Sequence, residues 1–503
     1  MDSSGLLWMG VIALLVGLPA HLMNLEPGGR HTTLGASRNQ DKIPIGSPTS
    51  TEAIPSPATR WNVVLISIDT LRPDRLGAYG YDRAISPNTD RFAEGGVLFS
   101  RAYSTAPWTL PAHMSMITGL LPSMHGAQLS PVFTKKTEIL SDDKTTLAEV
   151  LSYNNYRTAV FTGGSFLGRD FGFQQGFDEL KTGGCLADLW EEARRWLESG
   201  SDQPFFLFLH TYEVHNYEPS PEFEEKWVRP IDSESARRLD DRNRLRQFIL
   251  TSGFFNLNDE ELTFISDLYD ATIAEADHVL GDIWQYLDEE NLSERTVVVL
   301  TSDHGEEFFE HGGTGHGFTF YEEMLRIPWI LRVPGGPTGV KVDQPVQLID
   351  MMPTILDLLG LAGPAGMQGV SLREVFQGER SGLLTERALI AEASHLGNAR
   401  SLIHQDTKVI RSKYLPVELS SLDRLLFNLR QLLTRSDDLF FDVAQDPREL
   451  RPLEPADLDQ GQELLDLLQA HESIADEGGA SNPAVEGLSP ESIEDLKALG
   501  YLQ

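Results

Sequence analysis

With 503 residues, 41% hydrophobic and 23% charged, the chain has material for a sizeable core. One large α/β domain with a smaller partner fits that length, as do about three average domains. Its 41 Lys and Arg stand against 75 Asp and Glu, a formal net charge of −34, which rules against nucleic acid as a partner because a phosphate backbone is gripped by basic side chains.

The same acidity repels anionic substrates at long range, so a metal or local basic groups must reverse the field at any site that takes one. The single cysteine, Cys185, excludes an intrachain disulfide. In T-G-G-C-L-A it is expected as a small core residue.

In chain order, residues 5–20 form an apolar run, G-L-L-W-M-G-V-I-A-L-L-V-G-L-P-A, short of a comfortable membrane span. It reads like a secretory h-region without a basic n-region or a lipobox cysteine, and marks 1–23 as a signal peptide or N-terminal membrane anchor of an exported protein. Residues 24–59, rich in Gly, Ser, Thr and Pro, read as a linker. Order is expected from Trp61. Val63, Val64, Leu65, Ile66 and Ile68 make a nearly continuous β-branched run, the pattern of a strand buried on both faces of a parallel sheet. Runs of the same kind follow at Arg157–Phe161, Phe205–Leu209 and Thr296–Leu300, separated by helical patterns at Leu147–Tyr153, Leu189–Leu197 and Glu260–Leu287. In the longest, Ile265, Leu268, Ile273, Ala276, Leu280 and Ile283 keep a three-to-four spacing. Strands alternating with helices predict a doubly wound α/β sheet.

After about residue 385 the texture changes. Short segments at Ala388–Glu392, Ser401–His404, Lys408–Ser412 and Leu439–Asp442 predict a small sheet, with a helical insert near Leu422–Leu433. Residues 451–503 are acidic and expected to be helical in part, ending in a helix over Pro490–Leu499.

Several motifs sit at strand ends. N-V-V-L-I-S-I-D-T-L-R-P-D spans 62–74, S-P-N-T-D-R-F-A 86–93, T-S-D-H-G-E 301–306 and G-H-G 315–317. Y-E-E-M-L-R-I-P follows at 321–328, L-I-D-M-M-P-T-I-L-D-L-L-G at 348–360, and L-F-F-D-V-A-Q-D-P-R-E at 439–449. Residues 106–119, A-P-W-T-L-P-A-H-M-S-M-I-T-G, place Thr109 just ahead of a helix expected to begin near Pro111. In this order the motifs resemble those of the sulfatase family, within the alkaline phosphatase superfamily, over roughly residues 60–450. The resemblance implies a catalytic domain at 60–384 built on a large mixed, mainly parallel sheet sandwiched by helices. It also implies a C-terminal antiparallel-sheet subdomain at 385–450, ahead of a tail at 451–503.

Asp69 follows one strand, and Asp303 with His304 follows another. In open α/β sheets ligands gather at the carboxyl ends of strands. Two Asp, one His and the Thr109 oxygen form a divalent-metal set of hard oxygens with one nitrogen. Manganese, zinc and calcium all fit, as one ion or two, and an Asp-His pair leans toward manganese or zinc. Thr109 is the expected nucleophile, since a Thr hydroxyl needs the activation that a metal gives; as an alternative it caps the helix. By the resemblance, His215 matches the family's catalytic histidine, His316 stands where many sulfatases place a Lys, and His113 replaces an Arg and is expected to orient the nucleophile. His215 and His316 are expected to protonate the leaving oxygen or to hold a second ion. His210 and His311 read as structural, and Asp74 as a support for the ligands.

Three features depart from the family. Thr109 occupies the place of a Cys or Ser that sulfatases oxidise to an aldehyde, and Thr cannot undergo that oxidation. Asp69 is followed by Thr70 in place of a second Asp, and T-G-G-S-F-L at 162–167 lacks the Lys and His expected after that strand. All three are similar to the phosphoryl-handling branch of the superfamily. The resemblance therefore implies a hydrolase of anionic esters on a small molecule, glycan or lipid headgroup, with phosphate esters favoured over sulfate esters. A sulfatase that works without formylglycine, a phosphoethanolamine-type transferase and a non-catalytic binding protein are the alternatives. Oligomeric state is left open.

Overall fold

The computed structural model describes residues 60–129, 136–200, 202–231, 258–311, 314–378, 384, 386–396, 399–411, 438–478, 484–486, 489 and 494. The expected signal segment, linker, helical insert near 422–433 and, but for residue 494, terminal helix lie outside the described residues.

The main sheet has eight strands: β1 (Asn62–Ile68), β2 (Val97–Phe99), β3 (Arg157–Thr162), β4 (Glu179–Thr182), β5 (Phe205–Thr211), β6 (Thr296–Thr301), β7 (Trp329–Arg332) and β8 (Val340–Val342). Their order is β8-β2-β7-β6-β1-β5-β3-β4. β6, β1, β5, β3 and β4 run parallel. β7 is antiparallel to both β6 and β2, and β8 is parallel to β2, so the sheet is mixed.

Helices cover both faces, which is why β1 reads as an unbroken apolar run and not as an alternation. Val63 and Leu65 point to one side with Phe206, Phe208, Val297 and Val299, under α2 (Thr109–Thr118), α3 (Leu147–Tyr153) and α6 (Met351–Leu358). Val64, Ile66 and Ile68 point to the other with Leu207, Leu209, Val298 and Leu300. That side carries α1 (Pro87–Glu94), α4 (Leu186–Glu198) and α5 (Asp259–Glu289). Each such side chain removed from water contributes about 1.5–3 kcal/mol. The start of α5 is fixed by a reciprocal cap: Glu261 N–H donates to Asn258 Oδ1 at 2.9 Å and Asn258 N–H to Glu261 Oε2 at 3.0 Å.

Cys185 corrects its expectation. It is exposed, because it precedes α4 at the N-cap position, after Gly183 and Gly184, both with positive φ. A chain that turns there on two glycines leaves the third residue at the surface.

The small sheet joins β9 (Ala388–Ala393), β10 (Ala399–His404), β11 (Thr407–Arg411) and β12 (Leu439–Asp442) in sequential antiparallel order. One face receives Leu464 and Leu468 of α7 (Gly461–Gly478) on Leu402, Val409 and Phe440. The other packs Leu389, Ile403 and Phe441 against Tyr103, Phe320 and Leu325. Lys408 is buried there, its Nζ 2.8 Å from Glu449 and 3.3 Å from Glu322.

Candidate active site

β5, β1 and β6 are adjacent and parallel, so their carboxyl ends deliver side chains to one place. Asp69 follows β1, and its N–H donates to Thr211 O at 3.0 Å. Asp303 and His304 follow β6. The turn between them is tied down: Leu71 N–H donates to Ser302 Oγ at 3.0 Å, and Tyr269 O–H to Thr70 O at 2.7 Å. Thr70 takes a left-handed φ of 59° and turns its hydroxyl onto Asp69 O at 2.7 Å, away from any ligand role.

Thr109 is the first residue of α2, two residues earlier than the sequence suggested. Trp108 holds the cap position, so the Thr109 hydroxyl does not cap the helix. It donates to Asp69 Oδ2 at 3.1 Å and lies 3.3 Å from His304 Nε2. Asp69, Thr109, Asp303 and His304 are all fully buried.

His304 Nδ1–H donates to Gly305 O at 2.9 Å, since a carbonyl can only accept. The Nε2 lone pair therefore faces the cluster, 3.3 Å from Asp303 Oδ2 and 3.9 Å from Asp69 Oδ1. These two carboxylate oxygens are buried and have no hydrogen-bond partner among the described residues. One ligand atom from each of Asp69, Asp303 and His304 lies within 4.8 Å of the others. An unpaired buried acceptor costs about 1–3 kcal/mol, more when charged. Two such oxygens facing a nitrogen lone pair repel one another unless a cation sits between them, so the residues fit a divalent ion. Burial raises Asp69 to about 6 against the pull of His304 and the Thr109 hydrogen bond.

His113 lies one turn along α2. Its Nδ1–H donates to Thr109 O at 3.0 Å and its Nε2 is 3.0 Å from Ser67 Oγ. The ring braces the Thr109 turn, and burial pushes it down to about 3, so it is neutral. His304, His316 and His215 form a row, with ring centroids 4.6 and then 4.8 Å apart. His316 Nδ1 is 3.2 Å from Glu306. Burial lowers His316 to about 4 and raises Glu306 to about 8. The G-H-G motif has a conformational cause: Gly315 and Gly317 have φ of 79° and 88°, and Gly317 N–H donates to Pro107 O at 2.8 Å. The His316 loop is thereby stitched to the turn that presents Thr109.

Asp74 does not support the ligands. It pairs with Arg72 at 2.7 Å, and Arg72 in turn donates to Glu306 O. His311 is 2.6 Å from Glu323 and stacks on Tyr321, away from the cluster's contacts. Sequence reasoning missed His210, whose Nε2 lies 3.5 Å from Asp69 Oδ2, and Glu306. Glu306 closes the T-S-D-H-G-E motif, while the sequence signal of His210 is its position near the end of a strand flanking β1. The T-G-G-S-F-L departure now has a physical counterpart: a Cβ on Gly163 would meet the Tyr212 ring at 2.7 Å. The glycine admits Tyr212, which packs edge-on against His210 at 4.6 Å.

A family model described as Sulfatase matches residues 61–361. This chain belongs to the sulfatase family. It is 22% identical to the arylsulfatase of Clostridium perfringens over 455 residues, 78% of this chain and 90% of that protein. In fold this sulfatase-family member is similar to a structure solved with its substrate D-glucosamine-2-N,6-O-disulfate, at a TM-score of 0.66 and 19% identity, over 83% of this chain and 99% of that one. It is likewise similar to the phosphonate monoester hydrolase of Agrobacterium radiobacter, at a TM-score of 0.63 and 22% identity, over 83% and 96%. Family membership makes the chain an ester hydrolase of the sulfatase type.

Proposed function

We propose that this sulfatase-family hydrolase cleaves phosphate esters, with Thr109 as a covalent nucleophile. The observation that carries the reading is the placement of the Thr109 hydroxyl, 3.1 Å from Asp69 Oδ2 and 3.3 Å from His304 Nε2 at the start of α2. Thr cannot become the aldehyde on which sulfate-ester chemistry in the family relies, yet its hydroxyl stands where a nucleophile must. The helix N-terminus adds a partial positive charge that favours an anionic phosphoryl group.

Asp69, Asp303, His304 and Thr109 are the residues that would hold a divalent cation. Such an ion supplies Lewis acidity, lowering the pKa of the Thr hydroxyl and offsetting charge on the phosphoryl oxygens. The residues themselves do the rest. Thr109 Oγ attacks phosphorus, its proton passing toward Asp69 Oδ2, while the bond to the leaving oxygen breaks. His316, neutral by burial, is assigned to pass the proton of Glu306 to that oxygen, with His215 beside it. Water then attacks the phosphothreonine, releasing phosphate and restoring Thr109. His113 keeps the Thr109 turn in place.

A fold neighbour named as a phosphonate monoester hydrolase supports a phosphorus ester on this scaffold. Sulfate-ester hydrolysis without formylglycine is the second reading, favoured by relatives such as the arylsulfatase of Clostridium perfringens. The apolar run at residues 5–20 supports an exported enzyme. Parallel assays on aryl phosphate and aryl sulfate decide between the two chemistries, and loss of the favoured turnover in Thr109→Ala tests the nucleophile.

A further inference from the structure

His210, the penultimate residue of β5, lies beside Asp69 and is fully buried. Its ring is wedged between His113 at 4.8 Å and Tyr212 at 4.6 Å, both edge-on. Neither ring nitrogen has a hydrogen-bond partner among the described residues, and Nε2 lies 3.5 Å from Asp69 Oδ2. A purely structural histidine in that position is costly, since each unpaired buried polar atom opposes folding. An apolar ring fills the same space without that cost.

Asp69 Oδ2 accepts the Thr109 hydroxyl, while Oδ1 is the unpaired oxygen beside His304. A second donor on Oδ2 leaves Oδ1 to face the cation, and His210 Nε2 stands beside it unpaired. We propose that His210 is a positioning residue: its Nε2–H is placed to donate to Asp69 Oδ2 and holds the carboxylate so that Oδ1 faces the cation. The inference rests on the metal-bound site proposed above. Donors that orient a ligating carboxylate carry about 10–100-fold in metal affinity. Gly163 makes room for the Tyr212 ring that packs on His210, since a Cβ there would meet that ring at 2.7 Å.

The test is a binding measurement that needs no turnover. Dissociation constants for Mn²⁺ and Zn²⁺ are measured by competition with a chromogenic chelator on the full chain and on His210→Phe and His210→Gln. Phe keeps the ring and its packing but removes the N–H, and Gln restores a donor. Phe is expected to weaken binding about 10–100-fold, and Gln to recover most of the loss. If the Phe protein does not fold, His210→Ala takes its place. Binding by the Phe or Ala protein within twofold of the unaltered chain overturns the inference, and so does a Gln variant as weak as Phe. If the unaltered chain takes up neither ion, the metal-bound site falls along with it. If it binds and Phe binds equally, the positioning role of His210 alone falls.

Discussion

Thr109 Oγ1 donates to Asp69 Oδ2 at 3.1 Å although 40 residues separate them. One sits at the start of a helix, the other at the end of the strand beneath it. That bond joins the residue expected to attack the substrate to a residue expected to bind the metal. Thr109→Ala should therefore lower kcat by at least about 10³-fold, roughly 4 kcal/mol of transition-state stabilisation, while Thr109→Ser retains turnover. Steady-state kinetics on the two variants check this. Equal activity in the Ala variant removes Thr109 from the mechanism.

The orphaned Asp69 Oδ1 and Asp303 Oδ2 make a stability prediction. A cation that binds only the folded chain adds about 2.7 kcal/mol at a hundred times its dissociation constant. Chelation should lower the Tm and abolish turnover together, and Asp303→Asn should remove the metal-dependent rise in Tm. A melting curve indifferent to chelator and to Mn²⁺ or Zn²⁺ contradicts the cation site.

His125 makes the folded chain acid-sensitive away from the site. It is fully buried, with Nε2 3.2 Å from Pro111 O, and Nδ1 accepts from Ala127 N–H at 3.1 Å. Burial pushes it down to about 3, whereas an unfolded histidine titrates near about 6.5. Below that pH the unfolded chain binds the proton and the folded one does not, so stability is present above 6.5 and falls as pH drops. At pH 5 the loss is about 2 kcal/mol for this group. Denaturant titrations should show a smaller drop between pH 7 and pH 5 in His125→Gln, by about that amount. An unchanged drop refutes the assignment.

Lys408 ties the small sheet to Glu322 and Glu449. Lys408→Met strands two buried carboxylates and should destabilise the protein by about 3–5 kcal/mol. Adding Glu449→Gln should return part of it. The denaturation midpoint reads both, and a Met variant as stable as the parent sinks the coupling.

Much of this was legible in the sequence because burial on both faces leaves a plain record. β1, β3, β5 and β6 read as continuous apolar runs, and α5 as a three-to-four spacing. Asp69, Asp303 and His304 were legible because each follows such a run. Strand order was not. Nothing local says that β5 lies beside β1, so His210 read as one more apolar-strand histidine, although the pairing Ser67 to His210 sets it level with the end of β1. The antiparallel β7 that makes the sheet mixed is another tertiary fact. Glu449 was visible only as the last letter of a motif, and its meaning is the buried Lys408 it meets. Asp74 misled because a carboxylate beside a metal loop and one paired to Arg72 look alike in sequence.

The most direct test of the account is hydrolysis of matched aryl phosphate monoester, phosphate diester and aryl sulfate by the purified protein, with and without Mn²⁺ or Zn²⁺, beside Thr109→Ala. Phosphoester turnover that requires the ion and vanishes in the variant is the predicted result. Sulfate turnover as the dominant activity, lost in the same variant, would contradict the phosphoester reading and make the chain a sulfatase that works from an unmodified threonine.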